Sequence, residues 1–251
     1  MQTDAAGFRI FDYDPDTAAW AKAAIGVARG IADDPANKGP DNLRHGRTWF
    51  VGVDALPNDA NGAIAGVSLK GPWQACVPDI PLHRAQLSIV YAGYPRQDTA
   101  ESDANHRYRH RRAAAHVDGL LPVGPERRRF AQEFHAYILS IPLNDQPAAP
   151  TVVWPGSQRI MQAALREAYG RNDPAQVDIT DVYQAARRQV FETCEPVPLS
   201  IGIGQSALLH PFVLHGTAPW GDAPDPTGEG RMIAFFRPEC IGGAAAWLSM
   251  P

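Results

Sequence analysis

A chain of 251 residues with 45% apolar and 20% charged side chains can bury a sizeable core, and all-β barrels or sandwiches of this length are often one domain, so a single domain spanning 1–251 is expected. A formal charge of −4 and a pI near 6.0 give no general electrostatic case for nucleic acid or an anionic membrane as partner. There is no apolar run long enough for a membrane span, and Met1-Gln2-Thr3-Asp4 opens without the basic and apolar regions of a leader, so a cytoplasmic location is expected. Cys76, Cys194 and Cys240 are widely separated and odd in number, which suits reduced thiols better than a disulfide framework or a cysteine-rich zinc site.

In chain order, Phe8 to Tyr13 reads as a short strand. Asp14-Pro15-Asp16-Thr17 then starts a helix, with an Asp cap and Pro at the first helical position. Trp20, Ala23, Ala24, Val27 and Ile31 would form its apolar stripe. Residues 35–46 are loop-like, and Thr48–Asp54 and Ala63–Leu69 read as two strands about a turn. Ala85 to Tyr91 is a clearer strand, with Leu87, Ile89 and Tyr91 alternating against Gln86, Ser88 and Val90; its more polar face makes Gln86 a candidate for contact with a substrate.

The stretch from Arg96 to Arg112 is dense in charge, with His106, Arg107, His110, Arg109, Arg111 and Arg112. It reads either as solvated loop or as a lid whose arginines, Arg107 and Arg109 among them, meet an anionic substrate. Gly124–Phe130 suggests one helical turn, and Phe134–Pro142 a strand with His135, Tyr137, Leu139 and Ile141 on one face. Tyr137 is then either a buried core tyrosine or a cofactor contact. Thr151–Trp154 is the next strand, with Trp154 a further candidate for substrate contact. Ser157 would cap a helix to Tyr169, and Asp178 or Thr180 would begin another ending near Val190. Leu199–Ile203, Ser206–Leu209, Phe212–Leu214 and Arg231–Phe236 complete a pattern of short strands separated by Gly and Pro, the mark of a closed or double-sheet β architecture.

The chemistry centres on Ala115-His116-Val117-Asp118-Gly119. In an extended strand, side chains two apart leave on the same side, so His116 and Asp118 can present a nitrogen and an oxygen to one metal ion. Such a pair is common by chance, and its context lies downstream, where an apolar run ends in Leu214-His215-Gly216-Thr217. Two histidines and one carboxylate with open positions is the ligand set of non-haem Fe(II) oxygenases. His210 competes with His215, but five residues apart on a regular strand they face opposite ways, so only one can meet the metal.

Four patterns occur in order: His116-Val117-Asp118-Gly119, Val153-Trp154-Pro155-Gly156-Ser157, Leu209-His210-Pro211 leading to His215-Gly216-Thr217, and Arg231 through Pro238. Together they resemble the phytanoyl-CoA dioxygenase family of Fe(II)- and 2-oxoglutarate-dependent oxygenases, from about Gln86 to Pro238. The resemblance implies a mainly β fold, a double-stranded β-helix (a cupin-like jelly roll) with flanking α-helices. It implies Fe(II) held by His116, Asp118 and His215, and 2-oxoglutarate as cosubstrate, its distal carboxylate met by Arg231, with Thr217 adding a hydroxyl; the strand position of Tyr137 makes it the further candidate contact. Dioxygen and a small organic molecule, an anion if the Arg-rich stretch is a lid, would be the other reactants. Arg237 has the same strand parity as Arg231 and is the alternative. The chain departs from the family at Gln158, where His is usual, and in a longer stretch from Trp220 to Gly230. Halogenating relatives have a small residue where Asp118 stands, so hydroxylation or another oxidation is implied. A metal-binding cupin that isomerises or lyses its substrate, or a binding module without catalysis, is the rival reading. The sequence does not name the primary substrate or the oligomeric state.

Overall fold

The computed structural model describes residues 3–251, so the opening Met1-Gln2, on which part of the leader reading rests, lies outside the described residues. The strands are β1 (Phe8–Phe11), β2 (Leu43–Arg44), β3 (Trp49–Gly52), β4 (Gln86–Val90), β5 (Leu120–Val123), β6 (Arg128–Ala131), β7 (Ile138–Pro142), β8 (Thr151–Val153), β9 (Val197–Leu199), β10 (Ser206–Leu209), β11 (His215–Thr217) and β12 (Arg231–Phe236). The helices are α1 (Pro15–Asp33), α2 (Asp103–Arg112), α3 (Ser157–Tyr169), α4 (Thr180–Thr193) and α5 (Gly243–Leu248).

A seven-stranded antiparallel sheet runs β1-β10-β7-β12-β4-β3-β2, a three-stranded sheet runs β11-β8-β9, and β5 and β6 form a hairpin. An isolated bridge between His116 and His215 extends the smaller sheet by the segment that carries the first histidine. This is the mainly β, two-sheet jelly roll with flanking helices that the strand pattern implies. No helix among the described residues is long and apolar enough to cross a membrane.

The core divides by strand parity. Leu87 and Ile89 of β4 are fully buried in a cluster with Trp20 and Ala24 of α1, which closes the outer face of the large sheet. Gln86 and Ser88, one residue out of step, line the cavity between the sheets. The Asp14 carboxylate caps α1 by accepting from the Thr17 N–H at 2.8 Å. Trp20 is 0% exposed and donates its indole N–H to Gly62 O at 2.7 Å. Burying such a side chain stabilises the fold by about 2–3 kcal/mol. The most buried stripe of α1 is Thr17, Trp20, Ala21, Ala24 and Ala28, rotated from the expected one; Ala23, Val27 and Ile31 are half-buried on its flank. Small alanines let the helix approach the sheet, and the larger side chains seal the edge.

Several local expectations are corrected. Residues 63–69 make no strand beyond one bridge, Ile64 to Val67, because Ala65 and Gly66 both take positive φ and turn the chain back. Residues 124–130 are the turn and second strand of the β5–β6 hairpin rather than a helical turn, with Gly124 and Arg127 at positive φ. Gly156, not Ser157, stands at the N-cap of α3, and the Ser157 hydroxyl instead accepts from the Leu214 N–H at 2.8 Å. The strand expected at 212–214 begins at His215, and that at 199–203 is Val197–Leu199. The charged stretch before His116 is largely helical: Ser102 caps α2, Asp103 sits in its first turn and four basic residues in its last, so both ends suit the helix dipole.

Candidate metal centre

His116 and His215 approach from two neighbouring segments joined backbone to backbone, His116 N–H to His215 O at 2.8 Å and His215 N–H to His116 O at 3.1 Å. Each imidazole is held the same way. His116 Nδ1 lies 3.0 Å from Ala114 O and His215 Nδ1 lies 3.0 Å from Val213 O. A carbonyl only accepts, so each Nδ1 carries the proton and each Nε2 keeps its lone pair for a ligand. Both Nε2 atoms converge on Asp118, at 3.1 Å from Oδ1 for His116 and 3.7 Å from Oδ2 for His215. One ligand atom from each of the three residues falls within 4.8 Å of the others, a set that could hold a metal ion.

The electrostatics suit that role. Burial works to raise the Asp118 pKa, but His215, the bond to His116 and Arg237 together hold the carboxyl well below its usual range. His215 is pushed down to about 4, chiefly by burial, so at neutral pH its imidazole is uncharged. An ionised carboxylate and two neutral imidazoles are the protonation states a divalent metal needs. On the observed donor chemistry, the site fits Fe(II).

Gly216 explains how the two histidine segments come so close. A Cβ there would stand 2.1 Å from Ala113 O, a backbone atom two residues from Ala115. Gly216→Ala is therefore expected to push the His116 segment away from His215, destabilising the protein by about 1–3 kcal/mol and weakening metal binding by more than tenfold; thermal melting and a Co(II) titration check the two effects. Gly119, at φ +79°, plays the matching part after Asp118, since a Cβ would stand 2.1 Å from Glu133 O.

His210 faces away. It is 1% exposed, its Nδ1 accepts from the Phe212 N–H at 3.2 Å, and its Nε2 lies 3.1 Å from Pro251 O. Burial lowers its pKa from 6.5 to about 4. A histidine depressed this way contributes stability that is fully present above the unfolded pKa and is lost as pH falls through the folded one. The loss from this residue between pH 7 and pH 5 is about 2 kcal/mol. Denaturant titrations at those two pH values should show a shallower acid loss in His210→Gln than in the parent protein, and an equal loss would refute this role.

The cavity at the cluster encloses about 270 Å³ and is lined by Trp49, Gln86, Ser88, Thr151, Thr217, Phe235 and Arg237 among others. Arg237 places Nη1 3.6 Å from Asp118 Oδ2 and donates from Nη2 to Gln86 Oε1 at 2.6 Å. Arg231, on the same face of β12, is 6% exposed and borders a separate cavity of about 210 Å³ together with Asp145 and Leu199, donating to Ala149 O at 3.2 Å and to Thr151 Oγ1 at 3.4 Å. Thr151 pairs with Thr217 across β8 and β11, and both line the cavity. No carboxylate among the described residues lies within 4.0 Å of Arg231, and burial lowers its pKa to about 9. A buried cation without a counterion is an unfavourable arrangement unless an anion joins it. Arg231 meets the metal cavity through its bond to Thr151, which lines it.

Other candidates fall elsewhere. Tyr137 is 1% exposed and lines a separate cavity with Trp73 and Lys70 on the α1 side of the large sheet. Trp154 is buried among the helices, with Phe191 at 5.6 Å, because Val152 and Trp154 point outward where Thr151 and Val153 point inward. Arg107 is exposed on α2, and Arg109 is engaged by Glu101 at 3.1 Å; neither lines the metal cavity. Trp49, Arg44, Ser88, Glu133 and Leu121 line it without having been anticipated as site residues. The even-numbered face of β4 was the sequence signal for Ser88, whereas Glu133 and Leu121 arrive through the unforeseen hairpin.

Fold and cluster together define a double-sheet jelly roll with a candidate metal centre at one end of its cavity. Among solved structures the chain is similar to EctD from S. alaskensis with bound Fe, at 14% identity and TM-score 0.47 over 96% of this chain and 75% of that one. It is also similar to the alpha-ketoglutarate-dependent carbocyclase SnoK from nogalamycin biosynthesis, at 16% identity and TM-score 0.46 over 92% and 79%. A third is HygX from Streptomyces hygroscopicus with nickel and 2-oxoglutarate bound, at 13% identity and TM-score 0.43 over 93% and 82%. Likenesses this distant decide nothing about chemistry. No family model matches the chain, and no curated protein matches it.

Proposed function

We propose that the chain is an Fe(II)- and 2-oxoglutarate-dependent dioxygenase, of the phytanoyl-CoA dioxygenase kind, that hydroxylates a small organic molecule with release of succinate and CO2. The observation that carries the reading is the pairing of a convergent His116, Asp118 and His215 set with the buried, counterion-free Arg231 beyond it. A cupin doing isomerase or lyase chemistry, or a binding module, has no use for such a cation.

His116, Asp118 and His215 would hold the metal, and three protein ligands would leave coordination positions for 2-oxoglutarate and dioxygen. When bound, Fe(II) supplies the electrons that activate dioxygen as 2-oxoglutarate is oxidised to succinate. Arg231 receives the distal carboxylate, and its planar guanidinium can meet both oxygens at once. Thr151 and Thr217 flank the path with hydroxyls. Arg237 keeps Asp118 ionised and turns Gln86 toward the cavity. Trp49, fixed by its indole N–H to Ser88 Oγ at 2.9 Å, walls one side and limits water. Three free cysteines suit the reducing cytoplasm, where the reading places the protein.

Adding 2-oxoglutarate to the Fe(II)-loaded protein without oxygen should produce a new visible absorption that saturates, and admitting oxygen should yield succinate. Absence of any Fe(II)-dependent 2-oxoglutarate binding would sink the reading.

A further inference from the structure

We propose that the primary substrate is an organic ammonium carried on an apolar body, held in a trough that continues the metal cavity. This rests on the dioxygenase reading and adds to it the substrate class. The trough encloses about 540 Å³ and shares Val53, Glu133 and Arg237 with the metal cavity, so the same three side chains border both. That volume suits a drug-sized ligand. The metal cavity, at about 270 Å³, must also admit 2-oxoglutarate, so a substrate of any size has to extend outward along this border.

Two features set the class. The first is apolar surface left open to solvent. Val53 is 58% exposed and Ile241 72% exposed, and both belong to the trough, whose inner wall is Ile80 and Leu82. A hydrocarbon or aromatic body lying there would cover them.

The second is charge. Asp54, Glu133 and Glu239 line the trough, and its only Lys or Arg is Arg237, already engaged by Asp118 and Gln86. Its two histidines are committed to the walls. His83 Nε2 accepts from the Arg237 backbone N–H at 3.0 Å and its Nδ1 faces Asp54 at 3.3 Å. His135 Nε2 meets Glu133 Oε2 at 3.1 Å and its Nδ1 meets Arg237 O at 3.0 Å. That leaves the other Glu133 oxygen and the Glu239 carboxylate for a ligand. Glu133 stays ionised, its pKa lowered by the His135 bond against burial. An anionic substrate would meet three carboxylates there and a single guanidinium, that of Arg237, whose two terminal nitrogens already face Asp118 and Gln86. Arg44 lines the metal cavity but not the trough. An ammonium bound at Glu133 and Glu239 sits beside the border with the metal cavity and places its apolar body along the trough.

The test is calorimetric titration of phenylbutylamine, phenylbutanol and phenylbutyrate into the protein loaded with Fe(II) and 2-oxoglutarate in the absence of oxygen. The amine is expected to bind at least tenfold more tightly than the other two, the size of one charge-assisted hydrogen bond. Glu133→Gln with Glu239→Gln, both at exposed side chains, should erase that preference. Equal binding of the three probes, preference for the carboxylate, no binding of the amine, or a preference that survives the double substitution would each overturn the proposal. Direct Fe(II) and 2-oxoglutarate titrations separate the two readings, since no uptake of either, with the amine preference intact on the metal-free protein, overturns the dioxygenase reading alone.

Discussion

Asp118→Ala, His116→Ala and His215→Ala are each expected to lose stoichiometric Fe(II) binding, and with it all 2-oxoglutarate turnover, while the fold persists. The effect should be largest for Asp118, the one charged member and the atom pair on which both Nε2 atoms converge. With no carboxylate left, the site offers two neutral imidazoles, and Arg237 then stands as an uncompensated cation beside the metal position. Equilibrium dialysis with Fe(II) under argon measures binding, and circular dichroism measures the fold. His210→Ala is the control: its ring is held by Phe212 and Pro251 and faces away from the cluster. Iron binding retained in His215→Ala and lost in His210→Ala would reverse the ligand assignment.

Arg231→Met should separate cosubstrate binding from metal binding. Removing the guanidinium deletes two charge-assisted hydrogen bonds to the distal carboxylate, each worth about 1.5–3 kcal/mol, so 2-oxoglutarate affinity should fall by about two orders of magnitude or more. Iron affinity should hardly change, because Arg231 does not line the metal cavity itself. A second readout follows from its buried, unpaired state. Replacing an uncompensated buried cation by an apolar side chain of similar length relieves a penalty of several kcal/mol. Without 2-oxoglutarate, the variant should therefore melt no lower than the parent, while losing the stabilisation that 2-oxoglutarate gives the parent. An unchanged 2-oxoglutarate affinity, combined with its collapse in Arg237→Ala, would move the role to the later arginine.

Strand parity accounts for only part of the candidate site: Asp118 stands in a turn after the His116 bridge, and a turn at 211–213 carries the chain from β10 to β11 in the other sheet, so neither His116 with Asp118 nor His210 with His215 is sorted by alternation along one strand. Arg231, Phe235 and Arg237 share the inner face of the last strand, as their spacing requires. Tyr137 shows the limit of the same rule. It does share a face with Leu139 and Ile141, but every residue of β7 is buried, so alternation carries no sign of which face is the inner one. The face of Leu139 turned out to be the one under α1.

By itself the sequence determined what depends on near neighbours along the chain. It set the Asp14 cap and helix start, the alternation that places Gln86 and Ser88 opposite Leu87 and Ile89, and the short-strand rhythm of a two-sheet β fold. Only the tertiary structure decided what depends on distant segments. It brought His215 against His116 through the bare backbone of Gly216, left Arg231 buried without a counterion, and paired Arg109 with Glu101 on a helix away from the cavity. That helix has no buried residue, so no hydrophobic stripe announced it. It also delivered Glu133 to the cavity through a hairpin whose turn rests on positive φ at Gly124 and Arg127. Which charges face a cavity is set by how two sheets and their connections pack, and periodicity along one chain segment records only that the segment has two faces.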